Sequence, residues 1–175
     1  TVQDVKIFDR AVELGKGVVL GVNKWDLIEK DTHTAAASRA AMIDRFPFLT
    51  NFPTVFISAL SGQRTWRAID LALEVYDRRQ SRVSTSELNR LLADLNAEFP
   101  PPSRNGRTFR MTYCVQPTAG PPTLLFFTSR PQDVPEHYRR FLERRVRDRF
   151  DFEGTPVRII FRKKNRTQRG GRRER

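Results

Sequence analysis

The chain has 175 residues, room for one mid-sized domain or two small ones, and a composition of 38% hydrophobic and 30% charged residues that excludes a disordered polymer. No apolar run approaches the roughly 20 residues that span a bilayer, and the single cysteine, Cys114, excludes an internal disulfide and fits a reducing, cytoplasmic setting. The net charge of +12 is unevenly placed: residues 1–80 hold 11 Lys/Arg against 10 Asp/Glu, residues 81–175 hold 21 against 10, and residues 162–175 alone hold 8 against 1. The first half is balanced like an ordinary enzyme domain, and the second has the electrostatics of a polyanion binder.

In chain order, residues 2–14 read as a helix with Val5, Phe8, Ala11 and Val12 on one face and Gly15 just past its end. Residues 18–22 form a short continuous apolar run, the pattern of a buried parallel strand. An Ala-rich helix is expected over 34–46, stopped by Pro47, then a β-branched strand over 54–58 and a helix over 66–80 with Ile69, Leu73 and Tyr76 on its apolar face. Helix, strand, helix, strand, helix is the rhythm of a parallel α/β sheet. Two strands are few for such a sheet, which reads as the end of one, and an opening on Thr1 without Met or signal-peptide pattern predicts a fragment or a processed product. Its apolar sheet edge would then be exposed, which predicts aggregation or local disorder in residues 1–80.

Past a short polar link at 81–84, Ser84 stands three residues before Glu87, a capping-box pattern. The helix it opens carries Leu88, Leu91, Leu92, Leu95 and Phe99 on one stripe and ends at Pro100-Pro101-Pro102. Phe109, Met111, Tyr113 and Val115 alternate with Arg110, Thr112 and Cys114, which predicts a half-buried strand. A turn at Ala119-Gly120-Pro121-Pro122 leads to an apolar strand over 123–128. A helix over 135–150 follows, with Tyr138, Phe141, Leu142 and Val146 inward, then a last strand with Val157, Ile159 and Phe161. The order helix, strand, strand, helix, strand gives a hairpin and a crossover. The tail beyond Asn165 is too polar to fold alone.

The main chemical signal is Asn23-Lys24-Trp25-Asp26, directly after the first strand. A carboxylate at the C-terminal end of such a strand can accept paired hydrogen bonds from guanine N1–H and its 2-amino group, a donor pair that adenine lacks. Asn23 can bond guanine N7 and brace neighbouring loops, and the Lys24 stem can lie over the base. Ser58-Ala59-Leu60 follows the second strand, where the Ala59 N–H can face the guanine O6. Both loops lie where open α/β sheets bind ligands. A chance tetrapeptide in a surface turn would not be matched by a second loop at the equivalent place.

No G-x-x-x-x-G-K-[ST] loop is present, so the sequence supplies no phosphate cradle and no Ser/Thr ligand for magnesium. Asp151-Phe152-Glu153-Gly154 fits D-x-x-G, but its position between a helix and an edge strand reads as a turn closed by Gly154.

These residues give the chain a resemblance to the C-terminal part of the Der (EngA) GTPases, bacterial proteins with two tandem GTPase domains and a terminal KH-like domain. It rests on VLGVNKWDL at 19–27, FISALSGQR at 56–64, RVSTSELNRL at 82–91, Pro121-Pro122-Thr123, PEHYRRFL at 135–142 and Phe152-Glu153-Gly154-Thr155-Pro156. It implies a partial P-loop-GTPase-type parallel sheet followed by a KH-like α+β domain. Residues 1–80 would be the distal half of the second GTPase domain, 81–165 the KH-like domain and 166–175 a basic tail. It implies guanine contacts at Asn23, Lys24 and Asp26, supported by Ser58, Ala59 and Leu60, with GTP or GDP as ligand. The Mg2+ ligands would lie outside this chain. The parent protein would be a GTP hydrolase acting in assembly of the large ribosomal subunit, and this chain alone would be inactive.

The second half lacks the Gly-x-x-Gly loop with which KH domains clamp RNA. Contact with ribosomal RNA is therefore expected through diffuse charge: Arg158, Arg162, Lys163 and Lys164 leading into Arg166 and Arg169 of the tail, with strong salt dependence. The Arg-rich helix 136–149 reads as a solvated face. Docking against upstream GTPase domains is a further expected partnership. The hairpin aromatics Phe109, Tyr113, Phe126 and Phe127 are expected in the core, and an open apolar sheet face would turn that expectation toward a docking surface. A stand-alone basic RNA-binding module with a degenerate nucleotide fold is the competing reading.

Overall fold

The structure, a computed structural model, describes residues 2–28, 34–101 and 109–163. The first half contains α1 (Val2–Glu13), β1 (Leu20–Val22), α2 (Thr34–Arg45), β2 (Thr54–Phe56) and α3 (Thr65–Gln80). β1 and β2 pair in parallel, with Gly21 opposite Val55. Gly15 ends α1 in the left-handed region at φ 69°, a conformation a side chain would oppose. The strands are shorter than the apolar runs that form them, and β1 is only half-buried, contrary to expectation. One flank of β1 borders an open apolar groove of about 600 Å³, lined by Phe8, Val19, Met42, Phe46 and Phe48 among others. Among the described residues this sheet has two strands, with no third to close it.

α3 also departs from expectation. Its buried residues are Leu71 and Val75, whereas Trp66, Ile69, Leu73 and Tyr76 are exposed. Val75 on this helix lies against Gly17 and Gly154, and the broader apolar stripe faces solvent.

The second half contains α4 (Thr85–Glu98), β3 (Met111–Thr118), β4 (Thr123–Thr128), α5 (Glu136–Arg149) and β5 (Arg158–Lys163), the expected KH-like order. The sheet order is β3-β4-β5, antiparallel across the hairpin and parallel across the α5 crossover. Ser84 caps α4 in a complete capping box with Glu87, whose carboxyl is held below its ordinary range by the Ser84 hydroxyl and N–H. Leu88, Leu92 and Leu95 of α4 and Tyr138, Leu142 and Val146 of α5 pack with Phe109, Leu124, Phe126, Phe152 and Ile159 into one core. α4 also closes the free edge of β3. The Asn89 amide donates to the Cys114 carbonyl and accepts from the Cys114 N–H, and Asn96 donates to the Met111 carbonyl.

A register shift between Met111 and Tyr113 reverses the expected alternation in β3. Met111 and Cys114 face the core, and Tyr113 stands on the outer face. The extra residue of a bulge moves every later side chain to the opposite face. Of the four hairpin aromatics, Phe109 and Phe126 are core and Tyr113 and Phe127 are not fully buried.

The two halves meet at the turn around Gly154. Its N–H donates to the Asn51 carbonyl at 2.8 Å, and its carbonyl accepts the Val18 N–H at 2.8 Å, so it sits beside the N-terminal ends of β1 and β2. Gly154 has φ 75°, and a Cβ there would lie 2.4 Å from Val75 Cγ2. Arg147, almost enclosed, donates to the Phe152 and Thr155 carbonyls and holds the turn from behind. Burial lowers the pKa of its guanidinium, with Glu143 opposing that shift. Arg79 Nε donates to Gly15 O and its Nη2 to Gly120 O, while Arg78 Nε pairs with Asp151 at 2.8 Å.

Gly154→Ala is expected to destabilise the chain by about 2 kcal/mol or more in urea unfolding, from the left-handed backbone and the clash together. Adding Val75→Ala should recover part of that loss, a non-additivity that a double-mutant cycle reads directly. Burial pushes the Cys114 thiol from 9.0 up to about 12. The native protein should therefore resist maleimide at pH 8 and react once unfolded. With the native pKa raised, the thiol's contribution to stability is whole below about pH 9 and declines as pH rises from there toward 12.

Candidate functional site

The two strand ends that carry the candidate loops are tied together by backbone. Ile57 N–H donates to Val22 O at 2.8 Å, and Trp25 N–H donates to Ile57 O at 3.0 Å. Between them Lys24 takes a left-handed conformation, φ 64°, which turns the chain sharply into a 3-10 turn at Trp25–Leu27. Trp25 is buried, its ring 4.3 Å from that of Phe56. This indole anchors the turn from below, leaving Lys24 and Asp26 exposed above it.

Asn23 joins the loops. Its Oδ1 accepts the Lys24 N–H at 2.8 Å and the Ala59 N–H at 3.0 Å. The bracing role expected of Asn23 is thus present. The Ala59 N–H, expected to face the guanine O6, donates to Asn23 Oδ1, and Ala59 itself is exposed. The second loop is closed by Ser58, which is fully buried: its N–H donates to Gln63 O and its Oγ accepts the Ser61 N–H. Gly62, at φ 75°, completes the reversal, and Leu60 projects outward, 92% exposed. Asn23, Lys24, Asp26, Ser58, Ala59 and Leu60 therefore share one end of the small sheet.

Of the predicted cationic residues, the described ones do not all lie together. Arg158 is exposed, but its Nη2 donates to Glu13 O at 3.0 Å, which ties the start of β5 to the end of α1. Arg162 and Lys163 lie about 13 Å further along the strand and are exposed. Lys164, Arg166 and Arg169 lie outside the described residues. Among the described residues, no group of three or more His, Cys, Asp or Glu is placed to hold a metal ion. No described helix is long and apolar enough to cross a membrane.

Residues 82–162 match the family described as the KH-domain-like region of EngA bacterial GTPase enzymes, C-terminal. Over 93% of its length the chain is 46% identical to GTPase Der of Chlorobium phaeobacteroides and 43% identical to GTPase Der of Gemmatimonas aurantiaca. Over 91% it is 44% identical to GTPase Der of Geobacillus kaustophilus. The chain belongs to the Der (EngA) family. It spans only 37–38% of the length of these relatives. Within the family frame, two features here escaped sequence reasoning. The burial of Trp25 was signalled only by an aromatic inside a polar tetrapeptide. The joining role of Arg79 and Gly154 had no local signal, since both act on residues far away in the chain.

Asn23→Ala removes the acceptor for two amides and should accelerate hydrogen exchange at Ala59 and Lys24 while leaving the β4 amides unchanged. Trp25→Ala should cost about 3 kcal/mol in urea unfolding, the range for deleting a packed aromatic.

Proposed function

We propose that residues 1–80 read the guanine base in a GTPase of the Der type, with residues 81–165 as its KH-like domain and 166–175 as a basic tail. The observation that carries this reading is the Asn23 side chain linking two loops at the C-terminal ends of parallel strands, where ligands of α/β sheets bind. Asp26 would accept the guanine N1–H and 2-amino hydrogens, the Asn23 amide would reach N7, and the Lys24 stem would cover the base. Ser58, Ala59 and Leu60 would form the supporting loop. The open groove beside β1 and the exposed stripe of α3 support the placement of residues 1–80 in a larger sheet, since both are surfaces that further strands and helices would cover.

The parent protein would hydrolyse GTP with Mg2+. This chain's residues do not fit the phosphates or the metal, having neither a phosphate loop nor a described acidic cluster, and no hydrolytic step is assigned to them. The chain alone is expected to be inactive and to bind GTP weakly.

We further propose a cytoplasmic bacterial role in assembly of the large ribosomal subunit, with ribosomal RNA as partner and intramolecular docking to the rest of the protein. The +11 charge of residues 81–175, with Arg162 and Lys163 exposed at the end of β5, supports RNA contact.

In a full-length protein carrying this chain, Asp26→Asn should weaken GDP binding about tenfold or more and shift preference toward xanthosine diphosphate, whose C2 carbonyl needs a donor. Unchanged GDP affinity would remove Asp26 from the site. Micromolar GTP binding by the isolated chain in calorimetry would overturn its expected weakness.

A further inference from the structure

The sheet β3-β4-β5 has one face packed on α4 and α5, and its other face carries no helix among the described residues. At the hairpin end, the unpacked face is approached by the first half, where Gly15 lies against Pro121 and Arg79 reaches Gly120. The rest of it presents ordered cross-strand rows. Tyr113, Phe127 and Arg162 are register partners in one row, and Val115, Leu125 and Ile160 are partners in the next. Tyr113 is 39% exposed and Ile160 41%, and the Tyr113 and Phe127 rings lie side by side with centroids 6.1 Å apart. Beyond that aromatic row, the Ser129 N–H donates to Arg110 O and the Arg110 N–H donates to Ser129 Oγ.

The strands that build this face carry charge of one sign. β3, β4 and β5 contain no Asp or Glu, while Arg162 ends the aromatic row and Arg110 flanks it. No ion pair among the described residues engages the Arg110 or Arg162 side chain. An apolar face meant for another protein has no need of strands that carry cations alone. Aromatic rings beside unpaired guanidinium groups suit a ligand with flat π-faces and a negative backbone. Only unpaired bases offer those faces; in a duplex they are stacked on one another.

We propose that this open sheet face binds single-stranded RNA, with bases stacked on Tyr113 and Phe127 and the phosphate backbone held by Arg162 and Arg110. The inference rests on the reading of residues 81–165 as an RNA-contacting domain and deepens it, naming a stacking platform where charge alone was expected. The register shift in β3 makes the platform possible: without it Tyr113 would face the core and Cys114 the solvent.

The test uses the 175-residue chain with a fluorescent ten-nucleotide uridine RNA, a duplex of equal length, and a salt titration. The single strand should bind more tightly than the duplex. Tyr113→Leu with Phe127→Leu, which keeps apolar area and removes both π-faces, should weaken single-strand binding about tenfold or more with the salt slope retained. Arg110→Ala with Arg162→Ala should lower the slope by about 1.4. Circular dichroism and thermal melting of the leucine variant establish that it is folded, and photo-crosslinking of the unaltered chain to uridine should map to Tyr113 or Phe127. Salt-dependent RNA binding that the folded leucine variant retains in full would overturn the platform and leave the charge reading standing, with the face free for a protein. No RNA binding by the unaltered chain would overturn both.

Discussion

The arrangement of this chain depends on one turn. Gly154 offers its N–H and carbonyl to Asn51 and Val18, so the second half of the chain supplies backbone hydrogen bonds at the base of the small parallel sheet. Such bonds require close backbone approach, and the space is already limited by Val75 and Pro53. Only a residue without Cβ, held at positive φ, fits. The contact also acts at a distance, because Arg147 on α5 fixes the same turn through the Phe152 and Thr155 carbonyls. A helix of the KH-like core is thus coupled to the strands that carry the candidate guanine loops.

The direction of that coupling matters for function. Gly154, Arg79 and Arg158 act at the N-terminal ends of β1 and β2, and Asn23 and Ser58 act at the C-terminal ends. The join therefore leaves the candidate guanine loops open. The Asn23 acceptor and the buried Trp25 hold those loops without help from the second half. The candidate base-recognition loops and the attachment lie on separate surfaces of one small sheet, and the KH-like core can be fastened without covering either loop.

The second half shows how a small sheet protects and exposes surface selectively. One edge strand, β3, would present free peptide groups, and α4 answers this with Asn89 and Asn96 while Gln116 bonds the 81–83 link on the same edge. Amide side chains can both donate and accept, so they substitute for a neighbouring strand. The faces are treated unequally. The inner face carries the dense aromatic and aliphatic core, and the outer face carries Tyr113, Phe127 and Ile160 among cations.

Much of this was legible in the sequence. Helical and strand periodicities located all five helices and five strands, because each pattern reflects burial of one side of a local element. The Ser84 capping box and the turn at Gly154 were readable since both are set by neighbours within a few residues. The pairing of Asn23-Lys24-Trp25-Asp26 with Ser58-Ala59-Leu60 was readable from their positions after apolar runs, and so was the family. Tertiary structure decided what depends on distant partners. The apolar face of α3 turned outward, because burial of Ile69, Leu73 and Tyr76 needs an opposing layer that the periodicity itself does not contain. The side on which Tyr113 and Cys114 fall was decided by one extra residue in β3, which period-two reasoning cannot register. Arg158, which looked like a free cation, became a strut to α1, and Gly154 became the join between the halves, because hydrogen bonds across more than a hundred residues leave no local trace.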